Sequence, residues 1–313
     1  MLFDFDPKMS WPGCRTLPPG WASDSSIMYG VSWWQALFIG LLQGATELFP
    51  VSSLGHAVII PSLLHWSFKQ SDPTFLPFLT LLHLGTAGAL VVLYRHEWVG
   101  IVRGFLRAAV RGRIESPDER MAMLLVVGTI PGGVVGFVLK TSIAALFASP
   151  RAASVFLASN GVLLVGAEFL RRRSERVGIS REEQEGDFKA ANQISFRAAA
   201  ITGLSQALAF LPGISRSGVT MCGGLLAGLR HQEAAKLSFL LATPIIAGAG
   251  ILEVPQLVGT GAPLGLYTIA AVLAGVAAYL SARFLIRYFR SGRLDPYGYY
   301  CMAAGVVSFF LLR

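Results

Sequence analysis

Six apolar stretches, with clusters of arginine in three of the five gaps between them, leave this chain one kind of environment to fold in. They run about Thr74–Tyr94, Met121–Lys140, Ser154–Leu170, Leu237–Val254, Leu266–Ile286 and Tyr297–Leu312. They hold roughly 16–21 residues, about the length needed to cross the hydrocarbon core of a bilayer as a helix. Composition agrees. Hydrophobic residues make up 53% of the chain and charged residues only 14%, against about 25% charged in a soluble domain. The predicted class is an all-α polytopic membrane protein.

Two further apolar regions, Trp33–Trp66 and Ala198–Leu229, break near their middles at Pro50 and at Pro212–Gly213. Each half is too short to cross comfortably, so both read as re-entrant helical hairpins that enter and leave on one side. The loop charges support this. Arg95, Arg103, Arg107, Arg111, Arg113 and Arg120 follow the first span, and Arg171, Arg172, Arg173, Arg176, Arg181, Lys189 and Arg197 follow the third. Arg230 and Lys236 follow the second hairpin, and Arg283, Arg287, Arg290 and Arg293 the fifth span. If both broken regions are re-entrant, most of the 26 Lys and Arg residues fall on one side. The positive-inside rule then places both termini outside the cytoplasm.

The resulting order is a hairpin plus three spans, repeated with opposite orientation: an inverted-topology repeat of six transmembrane helices and two re-entrant hairpins. Repeat one covers about 33–170, a cytoplasmic loop 171–197, and repeat two about 198–313. Together, 33–313 form one integral-membrane domain. Residues 1–32 contain Pro, Gly and Trp with Asp4, Asp6 and Asp24, and lack a basic segment followed by an apolar one. They read as a poorly ordered extension, not a cleaved signal peptide.

The net charge of +8 sits in these loops and not on a basic stripe, which excludes nucleic acid as a partner. Cys14, Cys222 and Cys301 form no paired motif and read as small apolar residues.

The breaks are where polar residues concentrate. The first reads Gln43-Gly-Ala-Thr-Glu47-Leu-Phe-Pro50-Val-Ser52-Ser53-Leu-Gly55-His56, and the second Pro212-Gly213-Ile-Ser215-Arg216-Ser217-Gly218-Val-Thr220. Helices restarting after the prolines present free N–H groups and a positive dipole end, which suit an anion. Ser52, Ser53, Ser215, Ser217 and Thr220 add hydroxyls, and Arg216 adds a guanidinium with the fork geometry of a phosphate ligand. Gly55, Gly213 and Gly218 permit close backbone approach.

A pure anion pocket gains nothing from Glu47. A hydrolytic site does, as base, relay or metal ligand. Ser53 and His56 are three apart and share a helical face, so Ser53 is a nucleophile candidate with His56 or Glu47 as its base. Gln43, four before Glu47, can orient the carboxylate. The plainer readings make Ser52 and Ser215 helix caps, pair Glu47 with Arg216 structurally, and treat His83 as a packed interface histidine. Glu168 and Glu253 read as snorkelling residues at span ends, and His65, His96 and His231 as interfacial.

At these residues the chain resembles the undecaprenyl-diphosphate phosphatase, or bacitracin-resistance, family. That family runs Glu/Gln-x-x-x-Glu into Pro-Val-Ser-Ser-x-Gly-His, and carries Pro-Gly-x-Ser-Arg-Ser-Gly-x-Thr, matched by Pro212–Thr220. The stretches Gly228–Pro244 and Leu82–Gly85 are also similar, so the resemblance covers Trp33 to the C-terminus. Gln43 stands at a position that is acidic in many members, and Leu54 where Thr is frequent.

The resemblance implies cleavage of a polyprenyl diphosphate to the monophosphate and inorganic phosphate, recycling the lipid carrier of cell-wall synthesis. It implies Glu47, Ser53, His56 and Arg216 as catalytic residues, with Gln43, Ser215, Ser217 and Thr220 in support. It implies a bacterial inner-membrane protein whose site opens to the periplasmic face. It admits a divalent cation, Mg²⁺ or Ca²⁺, with Glu47 as the one carboxylate available and substrate phosphates as the other ligands, and no organic cofactor. A homodimer is left open. The competing reading is a polyprenyl-phosphate transporter or flippase on the same inverted repeat.

Overall fold

A computed structural model describes residues 31–66, 72–147, 149–176 and 194–312. The expectation for residues 1–32 therefore falls almost wholly outside the described residues. Those residues form eleven α-helices and two short 3₁₀ turns, and no strand among them. In chain order the helices are α1 (Trp33–Thr46), α2 (Ser53–Leu63), α3 (Phe75–Leu93), α4 (Arg95–Arg111), α5 (Pro117–Phe147), α6 (Pro150–Arg176), α7 (Phe196–Ser205), α8 (Arg216–Leu226), α9 (His231–Glu253), α10 (Leu264–Tyr288) and α11 (Asp295–Leu311).

Five of them are long and apolar enough to cross a membrane: α3, α5, α6, α9 and α10. They coincide with five of the six expected spans. The sixth expected span corresponds to the helix α11, which at 17 residues reaches only about 25 Å and is not one of these five. The chain is thus a multi-pass helical membrane protein.

Both broken regions are helix pairs. α1 has 14 residues and α2 has 11. α7 has 10 residues and α8 has 11, with a 3₁₀ turn at Gln206–Phe210 between them. None of these four alone reaches the roughly 30 Å of a hydrocarbon core.

The packing crosses over between halves. α1 lies along α10, α7 lies along α5, and the last helices of the halves, α6 and α11, form the most extensive pair. Each hairpin therefore rests on a helix of the opposite half. Hydrocarbon gives helices no solvent-driven reason to associate, so close backbone approach must hold them. Gly44 abuts the Ala274 backbone on α10, and Gly161 on α6 abuts Gly298 on α11. A side chain at either glycine would push its helix pair apart.

α4 stands apart. The sequence reading treats its arginines as a connecting stretch, yet it is a 17-residue helix closed by Gly112 in the left-handed conformation (φ 67°), the usual glycine stop.

Candidate active site

The two breaks meet. A Cβ on Gly55 would lie 2.9 Å from the Gly213 Cα, and Gly213 itself has φ +109° and sits against the α6 backbone. Only glycine tolerates both demands. This contact brings the start of α2 beside the start of α8.

Each start is capped in the same way. The Gly55 N–H donates to Ser52 Oγ at 3.1 Å, and the Gly218 N–H donates to Ser215 Oγ at 3.1 Å. Ser52 and Ser215 are helix caps, as the plainer reading holds. Ser52 also has a positive φ of 66°, a costly conformation for a residue with a side chain and one that clusters at functional sites.

Glu47, buried at the end of α1, is the hub. Its Oε2 accepts from Gln43 Nε2 at 2.9 Å and from Ser53 Oγ at 2.6 Å, and lies 3.1 Å from His83 Nε2. Its Oε1 accepts from Arg216 Nη2 at 2.9 Å. Four donors from α1, α2, α3 and α8 converge on one carboxylate, so its negative charge is met twice over. Arg216 also donates through Nη1 to the Ser238 carbonyl on α9 at 3.3 Å. The plainer pairing of Glu47 with Arg216 is therefore present, and it is one part of a larger network.

Several placements differ from the sequence reading. His83 is not a packed interface histidine, because its Nε2 faces the Glu47 carboxylate. Among the described residues no hydrogen bond joins His56 to Ser53. Its Nδ1 lies 2.7 Å from the Ser52 carbonyl and its Nε2 lies 2.7 Å from Tyr300 Oη on α11. A carbonyl can only accept, so Nδ1 carries a proton and donates it. In the neutral ring Nε2 then accepts from Tyr300. The group able to take the Ser53 proton is Glu47.

Thr220 donates to the Arg216 carbonyl at 2.5 Å within its own helix and does not face the carboxylate. Ser217 Oγ lies 3.2 Å from the Glu47 carbonyl and 3.0 Å from the Phe49 carbonyl. It ties α8 to the turn after α1.

Asn160 on α6 escaped the sequence reading. It is fully buried; its Nδ2 donates to the Pro50 carbonyl at 2.9 Å and its Oδ1 accepts from the Ser215 N–H at 3.0 Å. One side chain thus clamps both breaks. A lone Asn in an apolar span was its only sequence signal.

Glu168 is likewise not a snorkelling residue. It is almost fully buried, and its Oε2 lies 2.7 Å from His231 Nε2. Arg172 bridges it to Asp295. His231 is therefore a buried partner of α6, not an interfacial group.

No cluster of three or more His, Cys, Asp or Glu side chains able to hold a metal occurs among the described residues. Glu47 is already engaged by four donors, two of them basic side chains. The protein groups here do not fit a resident divalent cation.

Fold and centre together define a polytopic helical membrane protein with a buried serine–carboxylate–guanidinium site between two broken helices. Residues 36–307 match the model of the family described as bacitracin resistance protein BacA, and the chain belongs to that family. It is 44% identical over 280 residues to undecaprenyl-diphosphatase 2 of Chromobacterium violaceum, covering 88% of this chain and 96% of that one. It is 45% identical over 284 residues to the undecaprenyl-diphosphatase of Acidiphilium cryptum, covering 88% and 97%. It is 44% identical over 294 residues to that of Mycobacterium avium, covering 89% and 96%.

Proposed function

We propose that this chain is an undecaprenyl-diphosphatase of the bacterial plasma membrane, cleaving a polyprenyl diphosphate to the monophosphate and inorganic phosphate. The observation that carries the mechanism is the 2.6 Å hydrogen bond from Ser53 Oγ to Glu47, beside the Arg216 guanidinium.

Arg216 is shared property. A diphosphate offers it a more highly charged bidentate partner than a carboxylate does. As the guanidinium turns to the substrate, Glu47 loses a stabilising cation and becomes a better base for the Ser53 proton. Ser53 Oγ then attacks the terminal phosphorus while the bridging P–O bond breaks. The bond's electron pair leaves on the prenyl monophosphate. Arg216 and the N-terminal ends of α2 and α8 stabilise charge on the transferred phosphoryl group. Glu47 passes the Ser53 proton to the departing monophosphate. Water then hydrolyses the phosphoserine, Glu47 taking its proton and returning it to Ser53 Oγ as the P–O bond breaks and phosphate is released.

In the alternative route water attacks directly with Glu47 as base, and the unpartnered Oε1 of Gln43 accepts one of the water's hydrogens. No step is routed through a metal ion.

The proposal includes the topology of six spans plus two re-entrant hairpins, with both termini and the site mouth on the periplasmic side. The short paired helices and the crossed packing support the hairpins and the repeat, and the arginine-rich loops support the orientation.

The test is phosphate release from a polyprenyl diphosphate by the purified protein, alongside Ser53→Ala and Glu47→Gln. Wild-type release, with a labelled phosphoenzyme that is lost in Ser53→Ala, is expected. Turnover of Ser53→Ala at the wild-type rate overturns the nucleophile. Binding without any phosphate release by the wild type favours a lipid carrier.

A further inference from the structure

α4 has three faces. Gly100, Gly104 and Ala108 turn toward the start of α5, where Gly100 and Gly104 meet Asp118 and Glu119. A second face exposes Val99, Val102, Phe105, Leu106 and Val110 over three turns. Arg103, Arg107 and Arg111 follow one another at four-residue spacing along its edge.

The chain position fixes where this helix lies. Only Tyr94 separates it from the end of α3, and α5 begins at Pro117. Both neighbours are long enough to span a membrane. Were α4 to cross as well, it would carry Arg103 and Arg107 through the hydrocarbon, at high cost. It therefore runs along the surface where α3 ends and α5 starts. There an apolar stripe exposed to water has no favourable reason to persist, whereas one sunk between acyl chains does.

We propose that α4 is an in-plane interfacial helix that gathers anionic phospholipids. Its apolar stripe sits at the acyl–headgroup boundary, and Arg103, Arg107 and Arg111 hold lipid phosphates. Charge favours an anionic partner. From Arg95 to Glu119 there are five arginines against four carboxylates, Glu97, Glu115, Asp118 and Glu119. Arg107 has one carboxylate partner, Glu119 at 3.7 Å, while Arg111 and Arg113 share Glu115 at 3.3 and 3.0 Å. Arg103 forms no ion pair among the described residues. The guanidiniums outnumber their carboxylates, and their edge borders the stripe that would enter the leaflet. The partner is thus the headgroup layer itself, which is distinct from the substrate.

The experiment uses the full chain in nanodiscs of phosphatidylcholine alone and of an equal mixture with phosphatidylglycerol. A spin label at Leu106→Cys should be open to oxygen and shielded from a water-soluble nickel chelate. Lipid retained through detergent extraction should be enriched in phosphatidylglycerol. That enrichment should fall about fivefold or more in the R103Q/R107Q/R111Q variant, given the strength of headgroup attraction per arginine. Phosphate release by the variant in detergent should match the wild type. A label fully open to the chelate overturns the placement. Equal phosphatidylglycerol enrichment in wild type and variant overturns the lipid site.

Discussion

Counted from their capping serines, the hairpins around Ser52 and Ser215 share two landmarks. Gln43 and Gln206 stand nine before the cap, and Gly55 and Gly218 three after. At most other positions they part, and two of the differences bear on the chemistry. Five before the cap, one has Glu47 and the other Phe210; directly after it, one has Ser53 and the other Arg216. The shared positions build the turn and the helix start. Two divergent positions place a carboxylate and a hydroxyl on one side and a cation on the other. The glutamines show the same division. Gln43 Nε2 reaches the Glu47 carboxylate, whereas Gln206 Nε2 donates at 3.1 Å to the Gly128 carbonyl of α5. A duplicated frame can thus give an asymmetric centre, because two copies facing each other across one contact need not carry the same chemistry.

If the cation half stabilises the transferred phosphoryl group, Arg216→Ala should give the largest loss, roughly 10³-fold or more in kcat. Arg216→Lys should recover only part, since it cannot bind bidentately. Equal activity of Arg216→Ala and wild type would break the division of labour. Glu47→Gln should lower kcat by about 10²–10⁴-fold while substrate binding, measured by retention of labelled lipid, persists.

The clamp between the halves comes next. Asn160→Ala leaves the Ser215 N–H buried and unpaired, at about 1–3 kcal/mol, and the Pro50 carbonyl with only the weak Cys301 thiol donor at 3.8 Å. It should lower kcat by up to about 10²-fold through misplacement, and thermal unfolding should read the stability loss. The smallest effect sharpens the comparison most. Gln43→Leu should slow phosphate release about tenfold, whereas Gln206→Leu should change Tm with little effect on kcat. Equal kinetic losses would mean that the second glutamine also serves the centre.

The hairpin chemistry was legible because Glu47, Arg216 and the serines are rare residue types inside apolar runs, placed at proline breaks. His83, Asn160 and Tyr300 were not. Each is a single polar residue within a span, and its role depends on which helix lies opposite. The Glu168–His231 pair was hidden for a related reason. Both residues sit near segment ends, where exposure is the default, and only the packing of α6, α9 and α11 buries them. α4 was obscured by composition. Arginines every fourth residue resemble a loop when charge is counted, and resemble a helical edge only when spacing is.

The Glu47–Arg216 pair also bears on how a turnover ends. Glu47 is a tethered competitor that never diffuses away, present at a fixed effective concentration beside the guanidinium. A diphosphate carries enough charge to displace it. A prenyl monophosphate and inorganic phosphate carry less, and the returning carboxylate helps to expel them. On the proposed mechanism the centre clears itself of product, and the carboxylate proposed as the base also discriminates against what the reaction leaves behind.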